Sequence, residues 1–478
     1  MKNILVLFTD QQRYDTIGAN GNEYAQTPNL DKLASESVVF DYCVTPSPVC
    51  VPARLSLLAG QYPNRTGCNL NNPLTAYKGN GLYGMLTDAG YHTCNVGKMH
   101  NSRDMYGSIG FRERHTQEEL SNPKDDYTQF ILNSPYKNVF DYMGQRSEMY
   151  YVPQVSQLPA EAHPTQWIGD RSVEFIEKQT GEKPFFLFSS FIHPHPPYAP
   201  PAPWNKLFRR ESIPAPFVPE NYKEFKKIMT PSFDCEHLGI TELAAKRLKN
   251  YYYACVSFVD YQIGRIIDAL KAKGLYDDTI ILFSSDHGEL LGDYSNFGKR
   301  SMLDAAAHVP LMMKIPGTAP SRRSDVASLV DVAPTLLSLA GIGFDSEEFD
   351  GIDLFSARHD VVYSQYGHKK NGEYMVASEN DKLIYSTVED KYYYFNERPE
   401  AVNLYDAGNG RVIELQKKLK NYMDSDVGVI PQSNKDDLPG KAKKTQKVKD
   451  FGVGWMDHTA RRDEEAARIP DGYKVDLP

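Results

Sequence analysis

Four short apolar runs along the chain each stop abruptly in a cluster of polar residues. Asn3–Thr9 runs into Asp10, Gln11, Gln12 and Arg13, and Tyr91–Val96 into Gly97, Lys98, Met99 and His100. Pro184–Ile192 runs into His193 and His195 within a Pro-rich stretch, and Thr279–Ser285 into Asp286, His287, Gly288 and Glu289. Apolar runs without alternation predict strands buried on both faces, as in parallel sheets. Helical patterns lie between them: Thr27–Ser37 with Pro28 near its start, Asp170–Gln179, and a long amphipathic stretch over Thr241–Lys273 that Gly274 stops. Strands alternating with helices predict an α/β fold: a large, mostly parallel sheet sandwiched by helices. Ligands of such folds bind at the carboxyl ends of the strands, so the four polar clusters are expected to converge on one site. The pattern leaves the strand order open.

Beyond about residue 360 the grammar changes. Val361–Tyr366, Glu373–Ala377, Lys382–Thr387 and Lys391–Phe395 are closely spaced strand-like runs, with Gly372 and Asn380-Asp381 in the gaps. They predict a small antiparallel sheet, followed by a helix at Gly410–Met423. From Asp424 onward the chain is polar, and Asn434–Lys449 is Lys-rich; a loosely packed tail wrapping the main body is expected. The chain's 478 residues exceed what one ordinary core holds. The expected division is a catalytic α/β domain over 1–360 and a C-terminal subdomain over 361–478.

Composition narrows the function. Net charge is −9, which argues against a nucleic-acid binder resting on a basic face. An anion site would need its own local cations. No apolar run is long enough to cross a bilayer, so no membrane partner is expected. The start, Met-Lys-Asn before Ile4, leads straight into a strand without a small-residue cleavage site. That predicts a cytoplasmic chain, or a periplasmic one where a leader has been removed. The six cysteines, Cys43, Cys50, Cys68, Cys94, Cys235 and Cys255, are too few for a disulfide scaffold and form no C-x-x-C pair. Five read as small buried hydrophobes.

The sixth is different. Pro48 to Gly60 reads PVCVPARLSLLAG and contains C-x-P-x-R followed by x-x-x-L-x-G. Pro52 suits a first helical turn and Gly60 a helix end. Cys50 would then lie at a helix N-terminus, where free N–H groups and the dipole favour anions. Arg54, one turn on, can hold an oxyanion or a modified residue. This segment resembles the signature of the type I, formylglycine-dependent sulfatases of the alkaline phosphatase superfamily, with a departure at Ala59, where that family often has Thr. Thr27-Pro28-Asn29-Leu30-Asp31, Ser285-Asp286-His287-Gly288-Glu289, Val330 to Thr335 and Asp350-Gly351 resemble further family landmarks in the same order. The resemblance spans about three quarters of the chain; the last ~110 residues match only loosely.

The resemblance implies that Cys50 is converted to formylglycine by a formylglycine-generating or radical maturation enzyme. It also implies one divalent cation, held by Asp10 with Gln11, by Asp286 with His287, and by the modified Cys50. Ca²⁺ is the expected ion, with Mn²⁺ or Mg²⁺ as alternatives. Many relatives have Asp at the position of Gln11 and Asn at that of His287; the amide lowers the anionic charge, and the imidazole suits Mn²⁺ or Zn²⁺ better than Ca²⁺. Lys98 and His100 match a G-K-x-H element, which implies a grip on sulfate oxygens and orientation of the formylglycine hydrate. His195 matches an H-x-P element near the leaving group. Lys299 matches the lysine before a T-M-Y segment, here Ser301-Met302-Leu303, although Arg300 is a second candidate. His193 reads as a substrate contact or a turn stabiliser, and His308 as structural. Arg209-Arg210 reads as a solvated charge pair, and Tyr251 to Tyr253 as helix packing.

The implied reaction is hydrolysis of a sulfate ester. One hydroxyl of the aldehyde hydrate attacks sulfur, the cation, Lys98, Lys299 and Arg54 offset charge on the sulfuryl oxygens, and His195 protonates the departing alcohol. The second hydroxyl then lets the hydrate collapse and expel sulfate. A sulfated carbohydrate is the expected substrate, by analogy alone. Hydrolysis of a phosphonate monoester or phosphodiester is the alternative, and non-catalytic binding of a sulfated glycan a minor one. Loops over Asn101–Ser147 and Tyr198–Pro231 and the C-terminal tail are expected to set specificity.

Overall fold

The computed structural model describes all residues except 72–77, 102–104, 120, 147–149, 209–212, 231–232, 428–469, 471 and 474–478. Arg209-Arg210 and the Lys-rich Asn434–Lys449 therefore lie outside the described residues. A nine-stranded sheet forms the centre, built from β1 (Asn3–Asp10), β2 (Val38–Val44), β3 (His92–Gly97), β4 (Glu113–Thr116), β5 (Phe185–Pro194), β6 (Thr279–Ser285), β7 (His308–Lys314), β8 (Ser321–Arg323) and β9 (Ala327–Ser328). Its order is β4-β3-β5-β1-β6-β7-β2-β8, with β9 beside β2. Only β7 runs against its neighbours β6 and β2; the other pairings are parallel.

The four strands with polar ends, β3, β5, β1 and β6, are consecutive neighbours. Register levels their ends: Thr9 lies opposite Phe191 on one side and Ser285 on the other, and Gly97 lies opposite Ser190. Both faces of these strands are covered, which is why they lack alternation. Along β1, Ile4, Val6 and Phe8 pack into one layer with the helices Cys50–Ala59, Gly81–Asp88 and Val332–Leu339. Leu5 and Leu7 pack into the other, with Pro28–Ala34, Pro164–Glu177 and Glu242–Ala272.

One helix differs from expectation. Asp170–Gln179 is the second half of Pro164–Glu177, which begins six residues earlier. Its Pro164 takes the first helical position, where a missing N–H does no harm, and His163 Nδ1 accepts from Thr165 N. The long helix starts as its cap predicts, with Thr241 accepting from Ala244 N. Strands β2, β4, β7, β8 and β9 carry no such strong pattern and were not anticipated.

A second sheet of four antiparallel strands, β10 (Val362–Tyr366), β11 (Glu373–Ala377), β12 (Lys382–Ser386) and β13 (Lys391–Phe395), follows in meander order. Helix Gly410–Asp424 packs on it through Val412, Leu415 and Leu419. The sheet's other face shares a core with the main body, where Val362, Met375 and Ile384 meet Tyr42, Val49 and Met302. From the polar tail, Tyr473 reaches the main body: its hydroxyl donates to Asp260 and accepts from Asn29 Nδ2. Among the described residues no helix is long and apolar enough to cross a membrane.

Candidate active site

Cys50 is the first residue of its helix, after an extended Val49, and Gly60 closes that helix at φ +63°. A Cβ on Gly60 would lie 2.2 Å from the Phe349 ring, so both the turn and the packing require glycine. Cys50 Sγ lies 2.9 Å from Lys299 Nζ, 3.2 Å from His287 Nε2 and 3.8 Å from Asp10 Oδ1. Burial and Asp10 push the thiol up, but Lys299, Lys98 and His287 outweigh them and hold it well below the ordinary range. The other five cysteines are buried free thiols, all pushed up by burial; Cys68 and Cys235 reach about 12.

Beside Cys50 lies the set proposed for a cation. Donor atoms of Asp10, Cys50, Asp286 and His287 all fall within 4.8 Å of one another, and all four residues are buried. His287 Nδ1 donates to Gly288 O at 2.9 Å, which turns Nε2 towards the carboxylates and Cys50. Gln11 holds φ +67°; its N–H donates to Asp286 Oδ1 at 3.0 Å, and its carbonyl accepts from Tyr252 Oη at 2.7 Å. Its side-chain Oε1 accepts from Lys299 Nζ at 2.9 Å, and its amide nitrogen donates to Glu289. Two facing buried carboxylates with an amide oxygen and an imidazole are a donor set that fits a divalent cation. Burial and the facing Asp10 raise Asp286, whereas Lys98, His195, Lys299 and Arg54 overcome burial and lower Asp10.

Arg54 is committed to these carboxylates. Its Nε donates to Asp286 at 2.7 Å and one Nη to Asp10 at 3.2 Å; the other Nη reaches Lys98 O at 3.2 Å and Ser190 Oγ at 3.0 Å. It therefore braces the strand ends of β1, β3, β5 and β6. Lys98 Nζ lies 2.6 Å from Asp10 and also pairs with Glu119. Of the two candidates Lys299 and Arg300, Lys299 places Nζ on Cys50, and the Arg300 backbone N–H bonds Pro48 O.

At the mouth, His195 Nδ1 donates to Pro196 O at 2.7 Å, so Nε2 faces Glu119 at 3.7 Å. His100, at φ +45°, turns its Nδ1 toward Glu119 at 3.9 Å, and Arg146 approaches the same carboxylate at 3.4 Å. A carboxylate oxygen of Glu119 lies within 4.8 Å of both Cys50 Sγ and His195. Sequence reasoning missed Glu119, Arg146 and Ser190; Glu119 and Arg146 sit in the long 101–147 segment, which has no periodicity to place them. His193 turns away, within 3.0 Å of Thr165 Oγ1, and burial holds it neutral at about 3. His308 stacks on Tyr14 at 3.9 Å, held at about 4 by burial. Tyr252 and Tyr253 pack in the helix as expected, and Tyr252 also props the Gln11 loop.

A low-lying sulfur at a helix N-terminus, a carboxylate pair and two buried lysines at the carboxyl ends of a parallel sheet define a hydrolytic centre for a tetrahedral oxyanion. Comparison with known proteins gives the family. The sulfatase family model matches residues 2–342, and the model for the C-terminal part of N-sulphoglucosamine sulphohydrolase matches residues 292–426. An arylsulfatase of Clostridium perfringens is 29% identical over 421 residues, covering 82% of this chain and 87% of that protein. The phosphonate monoester hydrolase of Agrobacterium radiobacter superposes with a TM-score of 0.76 at 21% identity, covering 89% and 96% of the two chains. BT4656, solved in complex with its substrate D-glucosamine-2-N,6-O-disulfate, superposes with a TM-score of 0.69 at 20% identity, covering 88% and 97%. The chain belongs to the sulfatase family, within the alkaline phosphatase superfamily, and is a sulfuric ester hydrolase.

Proposed function

We propose that this sulfatase acts on a sulfated carbohydrate, through a formylglycine made from Cys50 by a maturation enzyme. The observation that carries the reading is Cys50 Sγ at a helix N-terminus, 2.9 Å from Lys299 and 3.8 Å from Asp10. Val51 N–H is taken by Asn71 Oδ1 and Pro52 has none, so Lys98 and Lys299, rather than the helix N–H groups, hold the sulfuryl oxygens and offset their charge as it grows. Arg54 keeps Asp10 and Asp286 convergent. His195, fixed by Pro196 O, presents Nε2 to the leaving oxygen and delivers its proton. Formylglycine would supply a geminal diol: one hydroxyl attacks sulfur as the alcohol leaves with the proton from His195, and the other loses its proton as the C–O bond to sulfate breaks and the aldehyde re-forms. Asp10, Gln11, Asp286 and His287 would hold one divalent cation, Ca²⁺ with Mn²⁺ or Mg²⁺ as alternatives, which supplies Lewis-acid polarisation of the sulfuryl group.

The carbohydrate assignment is supported by the C-terminal family match and by the sugar disulfate named for BT4656. The likeness to a phosphonate monoester hydrolase favours a second reading, cleavage of phosphonate monoesters at the same site. Three measurements test these readings. Intact mass should show the loss of about 18 Da that marks thiol-to-aldehyde conversion. The matured protein should then turn over an aryl sulfate faster than an aryl phosphonate; the reverse order supports the second reading. A panel of position-defined sulfated sugars identifies the substrate, and binding without release of sulfate from any of them supports a glycan-binding role instead.

A further inference from the structure

We infer a second metal site, of the zinc class, at the outer edge of the main sheet, formed by Cys94 Sγ, the Glu113 carboxylate and His115 Nε2. The argument starts from register. Cys94 lies opposite Glu113 and Val96 opposite His115, in parallel strands β3 and β4. Because side chains alternate along a strand, Cys94, Glu113 and His115 share one face, and His92 joins them two residues before Cys94. The donor atoms of Cys94, Glu113 and His115 all lie within 4.8 Å of one another. His115 Nε2 is 2.8 Å from Glu113 Oε1, and His92 Nε2 is 3.4 Å from Glu113 Oε2.

The surroundings are those of a held ligand set. His92 places Nδ1 3.3 Å from Gln179 Oε1, which points Nε2 at Glu113; such an outer partner fixes the orientation of a metal-binding group. The Cys94 thiol is buried under helix Pro164–Glu177, while the side chains of Glu113 and His115 keep 36% and 29% of their exposure. A cation can thus enter from solvent and meet sulfur at the inner wall. A cavity of about 540 Å³, lined in part by His115, Trp167 and Arg171, opens on the same side. One thiolate, one imidazole and one carboxylate suit Zn²⁺ and its borderline neighbours rather than Ca²⁺ or Mg²⁺. Three protein ligands leave one position for water. Cys94 gives up its proton on binding, so occupancy rises with pH.

This site shares no residue with the cluster around Cys50. Occupied, it would pin the four-residue edge strand β4 to β3, and β4 leads directly into Glu118 and Glu119. Co²⁺ is the probe, titrated into the full-length protein after its high-affinity cation has been loaded. One further equivalent should bind with a thiolate-to-cobalt charge-transfer band, and the band should persist in Cys50→Ala. It should vanish in Cys94→Ser, and His115→Ala, at a half-exposed position that leaves the core intact, should weaken binding on the order of 100-fold or more. His92→Ala, which removes the partner of Glu113, should weaken it about 10-fold. Absence of a thiolate band at stoichiometric Co²⁺, its loss in Cys50→Ala, or binding unchanged in His115→Ala would each overturn the assignment.

Discussion

Lys98 and Lys299 both lie beside Cys50, but they are engaged differently. Lys299 touches sulfur and the Gln11 amide oxygen, whereas Lys98 is shared between Asp10 and Glu119. Cys50→Ala should abolish turnover while leaving the circular dichroism spectrum and melting temperature close to those of the parent; a collapse of the fold would return Cys50 to a structural role. Glu119 is the unexpected member. Its carboxylate occupies the cationic mouth that a substrate anion must enter, held by Lys98, His100, His195 and Arg146. Glu119→Gln keeps the shape and removes the charge, so inorganic sulfate should inhibit about tenfold more tightly, the effect of one like charge at close range in a partly buried site. An unchanged inhibition constant would mean that Glu119 swings clear before anions bind.

Among the elements, the small sheet carries the clearest pH dependence. Glu373, at the start of β11, is buried with its Oε2 unpartnered, and burial together with Glu389 pushes its carboxyl up to about 8. The folded state therefore favours the protonated form. That advantage is full below the ordinary carboxylate range and is lost as pH rises towards 8, where the charge must be buried. Glu373→Gln should leave stability at pH 5 nearly unchanged and raise it at pH 9 by on the order of a few kcal/mol. Chemical denaturation at the two pH values checks the sign. The four strands of this sheet and its helix were legible from spacing almost to the residue, because each is short, turn-bounded and paired with its chain neighbour. β2, β4 and β7 were not, since none of them ends in a polar cluster like the other four strands, and β4 is only four residues long and polar.

At the scale of the whole molecule, the second sheet is tied to the segment that carries Lys299. Lys382 on β12 donates to Met302 O at 3.0 Å and to Asp304 at 2.6 Å, and pairs with Glu400. All three side chains are nearly inaccessible to water. Lys382→Met leaves Glu400 without its cation and Asp304 with Arg398 alone, and should destabilise the protein by about 3–5 kcal/mol. Equilibrium unfolding checks this. A change below 1 kcal/mol would mean that the pair is hydrated in solution.

The family resemblance named the cation-ligand candidates Asp10, Gln11, Asp286 and His287, and the sequence by itself determined the α/β class, the four polar strand ends and the helix that starts at Cys50. These are local signals: an apolar run and its abrupt end, a proline in a first turn, a glycine at a helix close. Tertiary structure alone decided that β3, β5, β1 and β6 are neighbours with level ends, which is what turns four clusters into one site. It placed Lys299 on Cys50, set Arg54 to bracing carboxylates, and brought Glu119 from an unpatterned segment to the mouth. It also set Cys94, which reads as one more buried thiol, beside Glu113 and His115. The physical reason is the same in each case. Periodicity reports which face of an element is buried, but strand order and register depend on pairings between segments up to some 275 residues apart, as between Gln11 and Asp286, and those leave no trace in the pattern of either segment alone.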